Sequence, residues 1–257
     1  MRIVLTNDDG IEAPGIKALQ RQLARTHEVI VVAPESEQSA CSHGLSLHRP
    51  LRLKEVRKGW FRVDGTPADC VNLAIFEVLG RRKPDIVVSG INLGPNLGTD
   101  VLYSGTVAGA IEGAIIGYGS IAVSLVPRDF DRPRFHAAAR FAASLVNGLG
   151  RHPLPADTCL NVNVPDGVTG PPFPVRVTKL GKRRYTKVVR QALDPRGRPY
   201  YWIGGDPGEK SPSALCDSVA VGEGLISVTP LKLDLTAPEQ AAHVGARVLS
   251  GRFASLR

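Results

Sequence analysis

The chain has no apolar run approaching the roughly 18 residues needed to cross a bilayer, so no membrane partner is expected. Aromatic residues make up only 5% of its 257 residues, against a hydrophobic fraction of 43%. That balance points to an aliphatic globular core and excludes the disordered and fibrous classes. Four cysteines (Cys41, Cys70, Cys159 and Cys216) lie far apart and form no CxxC pair. This spacing carries no zinc signature and suits reduced thiols. The first residues enter a strand at once, without the basic region and apolar stretch of a signal peptide. A cytoplasmic location is therefore the expectation. Neither a GxxxxGK[ST] loop nor a GxGxxG after a strand is present, which removes the P-loop and the dinucleotide fingerprint.

Positive charge is in excess. Lys and Arg number 32 against 24 acidic residues, a formal net charge of +8. A basic surface can recruit phosphate-bearing molecules, or it can simply be solvated. No aromatic-interleaved basic stripe accompanies it, so a specific nucleic-acid partner is not expected.

The first 165 residues alternate strands with helical patterns. Residues 2–6 read as a strand and 15–25 as a helix with Ile16, Leu19 and Leu23 near one face. Residues 28–33 form a second strand ended by Pro34. Segments 51–56 and 60–64 read as a short antiparallel excursion. Thr66 then caps a helix, with Pro67 at its first position and Asp69 at its positive end. Residues 85–89 read as a buried parallel strand, 105–117 as a helix, 120–125 as a strand, 134–148 as a helix and 159–164 as a strand. This order predicts an α/β fold: a Rossmann-like, doubly wound, mostly parallel sheet.

The composition changes near residue 165. Pro, Gly and charged residues crowd 165–213, including Lys182-Arg183-Arg184, and Tyr200-Tyr201-Trp202-Ile203 reads as a short aromatic strand. The stretch predicts a protruding hairpin or arm, whose aromatics either make a subunit contact or pack back on their own domain. Residues 225–229 read as a late strand and 236–250 as a C-terminal helix. The chain is thus expected to be one domain, with a core over 1–165 and an arm, strand and helix over 166–257.

The densest chemical signal is Asn7-Asp8-Asp9-Gly10, at the end of the first strand. Adjacent carboxylates repel, and the pair costs free energy unless positive charge offsets it. The following residues, 10–15, contain no Lys or Arg, so a divalent metal at a strand end is the first hypothesis. Three further segments would gather at the same carboxyl edge of a parallel sheet: residues 34–40, the Gly/Asn-rich 89–98, and Tyr103-Ser104-Gly105-Thr106 entering a helix. Glycines permit close backbone approach, Asn supplies neutral oxygens and amide donors, and a helix N-terminus favours an anion. A metal beside an anion cradle suits a phosphate ester.

The segments TNDDGIEAPGI (6–16), VVAPESEQSA (31–40), GTPADCV (65–71), SGINLGPNLGTDVLYSGTVAGAIEG (89–113) and VTPLKLDLT (228–236) resemble the SurE, or survival protein E, family over essentially the whole chain. The resemblance implies a metal-dependent phosphatase acting on nucleoside 5′- and 3′-monophosphates, with short polyphosphate as a further substrate. It also implies a homodimer or homotetramer built through the C-terminal region. Matched position by position, it makes Asp8, Asp9, Ser39 and Asn92 the ligands of one divalent ion per subunit, Mg²⁺ or Mn²⁺. It makes Asn96, Ser104, Gly105 and Thr106 the phosphate-binding residues. Asp8, Asp9, Asn96, Ser104 and Thr106 are then the catalytic set.

Such a site predicts metal-assisted hydrolysis by water, with Asp8 or Asp9 orienting that water. A covalent Asp8 nucleophile is the alternative, although enzymes of that kind typically carry DxD. His43 is read either as a proton donor to the leaving group or as a loop histidine bonded to backbone, and a Cys41 nucleophile is not expected. Two other classes compete. One is a nucleotide sensor built from the same loops without hydrolysis. The other is a phospho-receiver domain, which would need an Asp where this chain has Ser89 and Asn92.

Overall fold

The structure is a computed structural model, and it describes residues 1–183, 185–186, 189–204, 206–207 and 213–243. At its centre stands β1 (Arg2–Thr6). Its side chains alternate, as a pleated strand requires. Ile3 and Leu5 enter one buried cluster and Val4 the opposite one. Helix α1 (Pro14–Leu23) covers the first face with Ile16, Leu19 and Leu23. It starts at Pro14, where a missing N–H costs nothing.

The chain then builds outward on one side of β1. Strand β2 (Glu28–Pro34) pairs parallel to β1. The hairpin β3 (Leu53–Arg57) and β4 (Trp60–Val63) is antiparallel within itself, as expected. Beyond the expectation, β4 also joins β2 in parallel, so the excursion extends the main sheet. Helix α2 (Pro67–Leu73) opens with a complete capping box. Thr66 Oγ1 accepts from the Asp69 N–H at 3.1 Å, and the Thr66 N–H donates to the Asp69 carboxylate at 3.0 Å. The helix runs on into a π-helical turn over Ala74–Leu79.

Next the chain crosses to the other side of β1. Strand β5 (Ile86–Leu93) pairs parallel to it, followed by a 3₁₀ turn over Gly98–Leu102 and helix α3 (Gly105–Ile116). Strand β6 (Ser120–Val126), helix α4 (His136–Leu149) and strand β7 (Thr158–Pro165) continue the parallel series. The full order is β3-β4-β2-β1-β5-β6-β7, completed at the far edge by β13 (Ile226–Lys232) and β8 (Val175–Val177). Strand direction is therefore mostly parallel, with β13 antiparallel to β7. The order reverses between β1 and β5. That switch point is where an open α/β sheet leaves a crevice for ligands.

Three glycines, Gly105, Gly109 and Gly113, recur every fourth residue along α3 and seat it against the sheet. A methyl at Gly109 would lie 2.9 Å from Ser89 Oγ and 3.0 Å from Thr6 Cγ2. One at Gly113 would lie 2.5 Å from Ser120 Oγ and 2.8 Å from Val87 Cβ. The helix packs at a depth that only hydrogen at these positions allows.

The region after residue 165 is divided in use. Part of it, β8 and β13, belongs to the main sheet. Between them lie β9 (Tyr185–Thr186), which pairs with β12 (Asp206–Pro207), and the antiparallel hairpin of β10 (Val189–Leu193) and β11 (Pro199–Ile203). The turn of that hairpin is tied by Asp194, whose carboxylate accepts from the Arg196 and Arg198 N–H groups at 2.8 and 2.9 Å. The aromatics of β11 do not pack back on a core, since Trp202 is 68% exposed. Short helix α5 (Asp217–Gly222) precedes β13, and α6 (Pro238–His243) follows it. The rest of the expected 236–250 helix, and Arg184 of the basic triplet, lie outside the described residues.

Candidate active site

The carboxyl ends of β1, β2 and β5 open into a cleft of about 860 Å³. Asp8, Asp9, Ser39, Asn92, Asn96 and Ser104 line it, although they lie up to 96 positions apart in the chain. These are the four expected metal ligands and two of the four expected phosphate-binding residues.

Asp8 is buried and held from below by α3. One carboxylate oxygen accepts from the Thr106 hydroxyl in a short hydrogen bond, and the other accepts from the Thr106 N–H at 2.9 Å. Burial pushes the Asp8 pKa up, and the two Thr106 bonds oppose that rise. Asp9 is less enclosed and has one backbone partner, the Leu93 N–H at 3.2 Å. Burial and then the Asp8 charge push its pKa up to about 6. Glu37, at the rim, raises both. The pair thus resists carrying two charges, and a cation would offset the cost.

Asn92 bends back on its loop, its amide donating to Gly94 O at 2.9 Å. Ser39 is exposed, and its hydroxyl donates to Glu37 Oε1 at 2.6 Å. Among the described residues no group of three or more His, Cys, Asp or Glu is placed to hold a metal ion. The candidate donors instead combine two carboxylates with a hydroxyl and an amide. That oxygen set fits a hard divalent cation that keeps part of its water shell.

Asn96 is buried and fixed from four directions. Its N–H donates to Asn163 Oδ1 at 2.9 Å, and its side-chain amide to Ser124 Oγ at 2.8 Å. Its carbonyl accepts from Asn161 Nδ2 at 2.8 Å and Asn163 Nδ2 at 3.0 Å. These three supporting residues were not among the expected site residues. Their signal was legible as the alternation in CLNVNV, which sets Asn161 and Asn163 on one face of a buried strand, where amides need partners.

Ser104 caps α3, its oxygen accepting from the Val107 N–H at 3.1 Å. The hydroxyl proton remains to be donated. Gly105 is buried, and a methyl there would lie 2.8 Å from Cys41 Sγ and 2.9 Å from Asp8 Cβ. Thr106 is fully buried, with hydroxyl and N–H both directed at Asp8. The structure therefore sets Thr106 behind the carboxylate, away from the surface of the cleft.

Of the two readings of His43, proton donor or loop histidine bonded to backbone, the structure favours a structural bond, but to a side chain. Its Nε2 lies 2.6 Å from Glu112 Oε2 on α3, and it does not line the cleft. Cys41 is half-buried, and burial followed by the Asp8 charge pushes its thiol pKa up, against thiolate formation. The outer cleft is less polar, formed by Leu93, Pro95 and Tyr103 from the β5–α3 connection and by Ile203 and Gly204 from the hairpin arm.

Fold and site together define an α/β protein with an oxygen-donor cluster beside a helix N-terminus at a sheet switch point. Residues 3–187 match the family model for Survival protein SurE, and the chain belongs to the SurE family. The 5′-nucleotidase SurE of Anaeromyxobacter sp. (strain Fw109-5) is 53% identical over 240 residues, 91% of each chain. That of Aeromonas hydrophila is 47% identical over 252 residues, 96% of this chain and 98% of its own. The crystal structure of the SurE protein from Aquifex aeolicus matches with a TM-score of 0.83 at 40% identity. That match covers 96% of this chain and 99% of the other.

Proposed function

We propose that the protein is a metal-dependent phosphatase that hydrolyses nucleoside 5′- and 3′-monophosphates to the nucleoside and phosphate. The observation that carries this reading is the convergence of Asp8, Asp9, Ser39, Asn92, Asn96 and Ser104 on one cleft. Relatives of about 50% identity named 5′-nucleotidase support the substrate class.

Asp8, Asp9, Ser39 and Asn92 would hold one divalent ion per subunit, Mg²⁺ or Mn²⁺. When bound, such an ion supplies charge neutralisation and lowers the pKa of water. The two carboxylates divide the remaining work. Asp8 has both oxygens engaged by Thr106 and serves as the fixed anchor. Asp9 keeps an oxygen free of donors among the described residues and orients the attacking water toward phosphorus. The Ser104 hydroxyl, the Gly105 N–H and the clamped Asn96 hold the phosphoryl oxygens and stabilise charge developing on them. Thr106 acts through Asp8.

As the water oxygen bonds to phosphorus the ester P–O bond breaks. The leaving alkoxide takes up a proton through solvent, balancing the one the attacking water gives up, and departs as the nucleoside hydroxyl. The apolar outer walls suit a base and ribose, which supports a nucleotide over free phosphate. The exposed hairpin arm supports self-association as a homodimer or homotetramer, with 166–257 as the assembly region. The four free thiols suit a reducing cytoplasm.

The decisive assay is phosphate release from AMP, GMP, 3′-AMP and short polyphosphate with Mn²⁺, Mg²⁺ or chelator. Metal-dependent release is expected, with Asp8→Asn lowering kcat by about 10³-fold. Tight AMP binding by the wild type without release would instead make the protein a nucleotide sensor.

A further inference from the structure

The loop of residues 36–46 carries Ser39 from the end of β2 across the start of α3. Ser39 itself is weakly held, since its one side-chain partner is the exposed Glu37. The residues just after it are strained. Ala40 has φ 56° and Ser42 φ 53°, left-handed backbone that a side chain disfavours. Such a conformation persists only where surrounding contacts impose it.

Those contacts lie farther along the loop. The Ser42 N–H donates to Tyr103 O at 3.0 Å. The Thr66 hydroxyl donates to Gly44 O at 2.7 Å, and the Ser46 N–H to the Asp69 carboxylate at 3.0 Å. From the loop's own side chains comes a further tether, His43, 2.6 Å from Glu112 Oε2. Glu112 sits on α3, two turns below Gly105, and is 6% exposed. Its other oxygen accepts from Asn72 Nδ2 of α2 at 2.6 Å. The carboxylate thus joins the loop, α2 and α3. The His43 bond holds its pKa below the usual range, opposing the effect of burial.

We infer that His43 and Glu112 clasp the Ser39 loop onto α3 and so set the affinity of the site for its divalent ion, without touching the ion. Both are positioning residues. This rests on the reading in which Ser39 is a metal ligand. Breaking the clasp lets Ala40 and Ser42 relax, and Ser39 leaves its place in the cleft that Asp8 and Asp9 also line.

The test is calorimetric titration of Mn²⁺ into the full chain, without substrate, for the wild type, His43→Ala, Glu112→Gln and the double variant. AMP turnover is measured beside it. Supporting groups of this kind are worth about 10–100-fold in metal affinity. Either single variant is expected to bind Mn²⁺ about 10-fold more weakly, the double no more weakly than the worse single, and kcat at saturating Mn²⁺ to stay within about threefold of wild type. Ser42→Gly, which removes the strain at residue 42, is expected to return part of the affinity lost in His43→Ala. Mn²⁺ affinity in His43→Ala within about twofold of wild type overturns the clasp, whatever the melting temperature does. Loss without recovery by Ser42→Gly overturns it too. His43 is partly exposed, so His43→Ala carries the test should Glu112→Gln fail to fold. Ser39→Ala separates the two readings. If it leaves Mn²⁺ affinity unchanged, the ligand assignment fails and takes the clasp with it. If it weakens Mn²⁺ while His43→Ala does not, the clasp alone fails.

Discussion

The two sides of the cleft are built in opposite ways. Its floor is Asp8 on Thr106 and Asn96 on Asn161, Asn163 and Ser124, all buried. Its outer wall is Leu93, Pro95, Tyr103 and Ile203, partly or largely open, with Ile203 83% exposed to solvent. A preorganised floor suits the end of a substrate where charge changes during reaction. An adjustable wall suits the end where shape varies. The contrast teaches that chemistry and substrate choice are separable here, because different elements control them: β1, β5, α3 and β7 below, and loops with the hairpin arm above.

The sharpest way to break the contrast is at the floor. Asn163→Leu removes both bonds that Asn163 makes to the Asn96 backbone. We expect kcat/KM on AMP to fall about 100-fold, the typical cost of misplacing a reacting group by about 1 Å. Stability should drop by about 1–3 kcal/mol as buried polar groups lose partners, visible as a lower denaturation midpoint. Full activity in Asn163→Leu would mean that the floor is not preorganised by β7.

A second test uses pH. In the metal-free protein Asp9 has its pKa raised from 3.8 to about 6. Between those values the folded state binds a proton that the unfolded state has released, so this group's contribution to stability falls as pH rises. Asp9→Asn lacks that loss. The difference in unfolding free energy, Asp9→Asn minus wild type, should grow by roughly 2 kcal/mol from pH 4 to pH 7. Saturating Mn²⁺ should erase the gain by stabilising the wild type. A difference that stays flat with pH would mean that the Asp9 pKa is not raised.

The smallest effects belong to the wall. Tyr103→Ala and Ile203→Ala should each raise KM for AMP by about threefold with kcat unchanged, as expected for contacts equal in ground and transition states. A fall in kcat instead would show that the wall takes part in the chemistry.

Much of the fold was legible in local chemistry. The apolar runs of β1 and β5, the spacing of Ile16, Leu19 and Leu23, and the Thr66–Asp69 cap each state their structure within a few residues. The parts that were not legible depend on remote partners. Nothing near residue 226 says that β13 runs antiparallel to β7, or that β8 joins it. The same holds within the site. Asp8-Asp9 announces itself by repulsion between neighbours. Thr106 as the partner of Asp8, Glu112 as the partner of His43, and Asn161 and Asn163 as the clamp on Asn96 are pairings across 65 to 98 positions. Such pairings follow from how the sheet brings its ends together.

The glycine stripe on α3 makes the helix a lever. Gly105 meets Asp8, while Gly113 rests two turns away on Val87 and Ser120. A single added methyl at Gly113, remote from every reacting group, would lift the far end and tilt the Ser104–Thr106 end against the carboxylate. Enzymes of this build should therefore lose activity through substitutions that no inspection of the cleft would flag, and the tolerance of residue 113 measures how finely the tilt of α3 is tuned.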